Sequence, residues 1–109
     1  MGVGNKMLLW LDDIRTPPSN EPCEWFKDPW SALRAVIVRG HDFTSWSLDH
    51  DLGENVPTGY DFLCMLTNLI ACTGAKLCLP VEINIHSANP VGRRNMQRAI
   101  TDLELYYER

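Results

Sequence analysis

Three apolar runs along the chain each end in a polar cluster. Met7-Leu8-Leu9-Trp10-Leu11 leads into Asp12-Asp13, Trp46-Ser47-Leu48 into Asp49-His50-Asp51, and Val81-Glu82-Ile83-Asn84-Ile85 into His86-Ser87-Ala88-Asn89. Short apolar runs bounded by polar clusters read as strands. The pattern predicts a first strand over residues 6–13, a short second from Cys23 to Lys27, a third over 44–49 and a fourth over 81–86. Pro17, Pro18 and Pro22 exclude a regular helix from residues 14–22. Asp28-Pro29 has the cap-and-proline start of a helix that runs to about Arg39. Thr58, with Asp61 three residues on, makes a capping box for a second helix with Phe62, Leu66 and Leu69 on its apolar face. Asn89-Pro90 opens a third helix to about Leu103. The order β-β-α-β-α-β-α predicts one domain over residues 1–109, with a mostly parallel sheet and right-handed crossovers.

The carboxyl ends of parallel strands share one edge of the sheet, where open α/β sheets bind ligands. Four carboxylates, two imidazoles and a hydroxyl then converge there. Asp12, Asp13 and Asp49 are candidate ligands for Mg²⁺, since carboxylates at short range repel unless a cation joins them. A carboxylate beside an imidazole orients it and raises its basicity. His50, His86 and Asp51 are therefore candidate catalytic residues. Ser87 and Asn89 stand at a helix N-terminus, where free backbone donors favour an anion. Arg93 and Arg94 follow in the first turns. These four are candidate phosphate-binding residues.

Composition narrows the choice. Hydrophobic residues make up 45% of the chain, enough for a real core, and the net charge of -4 argues against coating long nucleic acid. Four cysteines without a C-x-x-C pair read as reduced and structural. No signal peptide or bilayer-length apolar run is visible, so a cytoplasmic protein without membrane contact is expected. Trp10 and Trp46 read as core. Strands three and four alternate polar with apolar positions, although interior strands covered on both faces should be apolar throughout. One sheet face is thus expected to be thinly covered, by the proline-rich loop and Tyr106-Tyr107, and a homodimer through it is expected.

Leu11-Asp12-Asp13, Asp49-His50-Asp51-Leu52-Gly53, Thr58-Gly59-Tyr60-Asp61-Phe62-Leu63 and His86-Ser87-Ala88-Asn89-Pro90 together resemble response-regulator receiver domains. More narrowly, they resemble the receiver-derived group called the cyclic-phosphate processing receiver-like domain, over about residues 7–100. The resemblance implies a flavodoxin-like, three-layer α/β fold with a four- to five-stranded sheet, reduced relative to a full receiver. In receivers a phosphoacceptor Asp lies eight residues before the glycine that opens the next helix. Asp51 and Gly59 reproduce that spacing, and Asp49 fits after a small gap. Ser87-Ala88 matches the Thr/Ser-Ala pair after strand four. The proline-rich segment replaces a receiver's first helix, and no fifth strand with its lysine is visible. His50 and His86 match the narrower group. They imply a phosphoesterase, a hydrolase that processes a cyclic phosphate on an RNA end, as in RNA repair, or on a cyclic nucleotide. The alternatives are a non-catalytic cyclic-nucleotide or phosphate-binding module and a degenerate signalling receiver.

Overall fold

The computed structural model describes residues 7–18 and 20–108. Its elements in chain order are β1 (Met7–Leu11), β2 (Cys23–Phe26), α1 (Pro29–Arg39), β3 (Phe43–Leu48), α2 (Gly59–Thr73), β4 (Glu82–Ile85) and α3 (Pro90–Glu108). The strands form one parallel sheet in the order β2-β1-β3-β4. The reduced receiver-like α/β fold is therefore present, with four strands among the described residues.

Strand alternation decides what each face meets. Leu9 and Leu11 pair in register with Trp46 and Leu48 and turn to one side. They join a single buried cluster to which every helix contributes: Ala32, Ala35 and Val36 from α1, Phe62, Leu63 and Leu66 from α2, and Met96, Ala99, Ile100 and Leu103 from α3. All three helices therefore cover the same face, with α2 packed between α1 and α3. The shortest dimension, 20 Å, fits a sheet and one helix layer. Among the described residues the sheet and helices therefore make two layers where three were expected.

The opposite face carries Leu8 and Trp10 in register with Ser45 and Ser47. The segment after β1 covers its upper half. The Trp10 indole N–H donates to the Arg15 carbonyl at 2.8 Å, and the Trp25 indole N–H donates to the Asp12 carbonyl at 2.6 Å. Leu8 and Trp10 are buried beneath it, while Glu82 and Asn84 are exposed. The start of the proline-rich segment, at Arg15, meets Trp10 on this face. Tyr106-Tyr107 does not: these residues continue α3, which runs past Leu103, and they line a hollow with Ile70 and Lys76 at the end of α2. Among the described residues, no helix is long and apolar enough to cross a membrane.

The helix starts follow their local chemistry. Asp28 accepts from Ser31 N–H, and Thr58 and Asp61 complete the capping box. Gly59 opens α2 where the chain leaves the sheet. A Cβ there would lie 2.0 Å from the Asp49 carbonyl oxygen and 2.8 Å from the Met96 methyl. Gly59→Ala should therefore destabilise the protein by about 3 kcal/mol, the upper end for overpacking. The midpoint of urea denaturation measures this, and a change within about 0.5 kcal/mol, ordinary for a surface site, would contradict the packing.

Candidate functional site

β1, β3 and β4 end side by side, and each hands its next residues to the same edge. Asp12 follows β1 directly and is only 2% exposed. A buried carboxylate must have its oxygens satisfied. Oδ1 accepts from the backbone N–H groups of Ile14 and Arg15, both at 2.9 Å, and Oδ2 meets His86 Nε2 at 2.9 Å. The His86 ring lies flat on Trp10, with centroids 3.9 Å apart and planes 3° apart, and its Nδ1 meets Ser47 Oγ at 2.7 Å. The imidazole thus spans β3, tying the end of β4 to the end of β1.

Asp49 follows β3. One oxygen from each of Asp12, Asp13 and Asp49 falls within 4.8 Å of the others. Asp51 lines the same crevice, of about 450 Å³, with Ile14, Arg15 and Gly53. The spacing to Gly59 favoured Asp51 as the receiver-equivalent residue. Asp49 is the one that stands with Asp12 and Asp13, and Asp51 is exposed.

His50 takes a different direction. Its Nδ1 bonds Asp51 Oδ1 at 2.9 Å, and its ring packs on the first turn of α3, where a Cβ at Gly92 would lie 2.5 Å from His50 Cγ. Among the described residues, no hydrogen bond joins the His50–Asp51 pair to the His86–Asp12 pair. Ser87 is buried beside Asp49, and its Oγ accepts the Asn89 N–H at 3.1 Å. Asn89 acts as a cap: its Oδ1 accepts the Gly92 N–H at 3.0 Å. Arg93 donates from one nitrogen to the carbonyls of Ile85 and Ser87, at 2.9 and 3.1 Å, so part of its capacity already serves the backbone. Arg94 is exposed on α3 and makes no hydrogen bond with this cluster.

Three contributors escaped the sequence reading. Ser47 and Trp10 read as ordinary strand positions, and Arg15 as part of a proline-rich loop. For Ser47 a clue was present. The polar faces of β3 and β4 carry Ser45, Ser47, Glu82, Asn84 and His86 together once the strands pair in register.

The electrostatics follow from these contacts. Burial alone would raise the Asp12 pKa, but the two backbone N–H groups and His86 outweigh it and hold the group below its ordinary value. Asp49 is pushed the other way, first by burial and then by the charge of Asp12, against the His50 N–H and the Ser87 hydroxyl. Burial lowers His86 despite its bond to Asp12. Its ring is therefore neutral near pH 7. Because the carboxylate can only accept, the ring proton sits on Nε2, and Nδ1 receives the Ser47 hydroxyl proton.

One family fits these residues. The cyclic-phosphate processing receiver domain family matches residues 7–102, nearly the whole chain. The chain belongs to that family. No curated protein and no solved structure matches it. In this cyclic-phosphate processing receiver domain, the acidic triad has donor chemistry suited to a hard divalent cation such as Mg²⁺. Asp12 is a fixed charge, Asp49 is destabilised beside it, and Asp13 adds a third oxygen. Such an ion would relieve the repulsion that raises Asp49.

Two outcomes test this electrostatic picture. Millimolar Mg²⁺ should raise the melting temperature by mass action. Asp49→Asn should raise that of the metal-free protein and abolish the Mg²⁺ response; a response left intact would remove Asp49 from the site. The second outcome concerns pH. The unfolded histidine titrates near 6.5 and the folded one lower, so between these values the unfolded state holds more protons. Stability should therefore fall as pH drops from about 7.5 to 5.5, and His86→Gln should flatten that slope. Urea midpoints across this range measure it, and an unchanged slope would mean that His86 is not the titrating group.

Proposed function

We propose that this domain hydrolyses a cyclic phosphate, on an RNA end or a cyclic nucleotide, in the crevice between the ends of β1, β3 and β4. The observation that carries the reading is the meeting of the Asp12–Asp13–Asp49 cluster with Ser87 in a member of this family. Ring opening forms one P–O bond to a water oxygen and breaks one P–O bond to a ribose oxygen. The water must lose a proton and the leaving oxygen must gain one.

A divalent ion held by Asp12, Asp13 and Asp49 would supply positive charge for the crowded phosphorane oxygens. The N-terminus of α3, with Ser87 and Asn89, offers donors to the phosphate. Arg93 and Arg94 add charge at the same end. His50, oriented by Asp51 through Nδ1, makes no hydrogen bond at Nε2 among the described residues. In this reading it exchanges the proton with water or with the leaving oxygen. His86 has both ring nitrogens engaged and one ring face on Trp10. It holds the Asp12 carboxylate in place and accepts a proton only if the Ser47 or Asp12 bond opens.

The test is a panel of cyclic mono-, di- and oligonucleotides and RNA ends bearing a 2′,3′-cyclic phosphate, incubated with and without Mg²⁺ and followed by phosphorus NMR. The expected result is conversion of at least one of them to a phosphate monoester. His50→Ala should lower kcat by about 10²–10⁴, the usual worth of a general acid or base. His86→Ala should weaken Mg²⁺ binding and lower stability by about 1–3 kcal/mol, because it leaves a buried carboxylate oxygen unbonded. Binding without turnover across the whole panel would favour a cyclic-nucleotide-binding module. A stable mass increase with a small phosphodonor would favour a degenerate signalling receiver.

A further inference from the structure

The crevice is lined by four carboxylates and by one cation among the described residues, Arg15. An arginine so placed would ordinarily join an ion pair with a carboxylate. Among the described residues, Arg15 joins none. Instead its Nη1 donates to the His86 carbonyl at 2.8 Å.

The backbone of Arg15 is pinned on both sides. Its N–H donates to Asp12 Oδ1 at 2.9 Å, and its carbonyl accepts the Trp10 indole N–H at 2.8 Å. The side chain therefore leaves a fixed point at the end of β1 and reaches the end of β4. In the strand order β1-β3-β4, that path passes the end of β3, where Asp49 stands. A guanidinium carries five N–H donors in a planar fork, and the bond to His86 uses one of them. Arg15 is exposed and lines the crevice, so its remaining donors are open to solvent there.

An anion entering this crevice meets four negative charges. It is favoured where positive charge stands at a fixed place, and a planar fork suits two phosphate oxygens at once. We propose that Arg15 grips the phosphoryl oxygens of the ligand, a phosphate monoester or cyclic phosphodiester anion, alongside the donors at the N-terminus of α3. This rests on the phosphate-handling reading of the crevice and adds its anion-binding residue. Held away from the carboxylates by the His86 carbonyl, the guanidinium is preorganised for an incoming anion rather than neutralised by its neighbours.

The test is calorimetric titration in Mg²⁺ buffer, using inorganic phosphate and adenosine 2′,3′-cyclic monophosphate as separate probes. Wild type, Arg15→Ala, Arg15→Lys and Arg34→Ala are compared, the last as an exposed arginine on α1. Unchanged melting temperatures would confirm that the variants fold. Arg15→Ala should weaken binding about tenfold or more, as expected for charge-assisted hydrogen bonds. Arg15→Lys should recover part of the loss, and Arg34→Ala should stay within about twofold of wild type. Wild-type affinity in Arg15→Ala would overturn the proposal, as would failure of both probes to bind wild type at millimolar concentration. Arg15-dependent binding of phosphate alone would support the assignment of Arg15 and count against the cyclic-phosphate reading of the site.

Discussion

The buried carboxylate of Asp12 is the constraint on which the site depends. Sunk at the end of β1, it must be fully hydrogen-bonded, since an unsatisfied buried charge would cost several kcal/mol. Two backbone N–H groups shape the turn that follows, and His86 supplies the remaining bond across the end of β3. Because the same ring also bonds Ser47 and stacks on Trp10, three strand ends are locked into one arrangement. The geometry of the crevice is thus set by a hydrogen-bond network rather than by apolar packing.

That network stands on the sheet face that no helix covers among the described residues, where the His86 ring lies on Trp10. Here the turn from Asp12 to Arg15 is tied to this face through Trp10 and Trp25. The polar alternation of β3 and β4, costly in a sheet covered on both sides, supplies the Ser47 hydroxyl and His86 to this wall. The same reduction that thins the fold makes one face of the sheet part of the site.

The fixed charge on Asp12 then governs its neighbours. Asp49 is strained beside it, and the fourth carboxylate, Asp51, is drawn off by His50. The crevice is left with more negative charge than its protein cations balance. This is why a divalent ion and an arginine kept free of carboxylates belong to one electrostatic account.

Much of this was legible in the chain. The capping box at Thr58, the proline starts of α1 and α3, and the apolar runs that became strands are local patterns, set by backbone chemistry within a few residues. The convergence of Asp12, Asp49 and Ser87 followed as soon as those strands were taken as parallel. What the chain could not reveal depends on distances between elements. Whether Asp49 or Asp51 faces the acidic pair is decided by where the chain turns after β3, against Gly59. That His50 and His86 enter separate networks is decided by α3, whose Gly92 receives one ring, and by Trp10, which carries the other. Arg15 is a loop residue by every local criterion. Only the sheet order, which brings the ends of β1 and β4 within one side chain's reach, makes it part of the site.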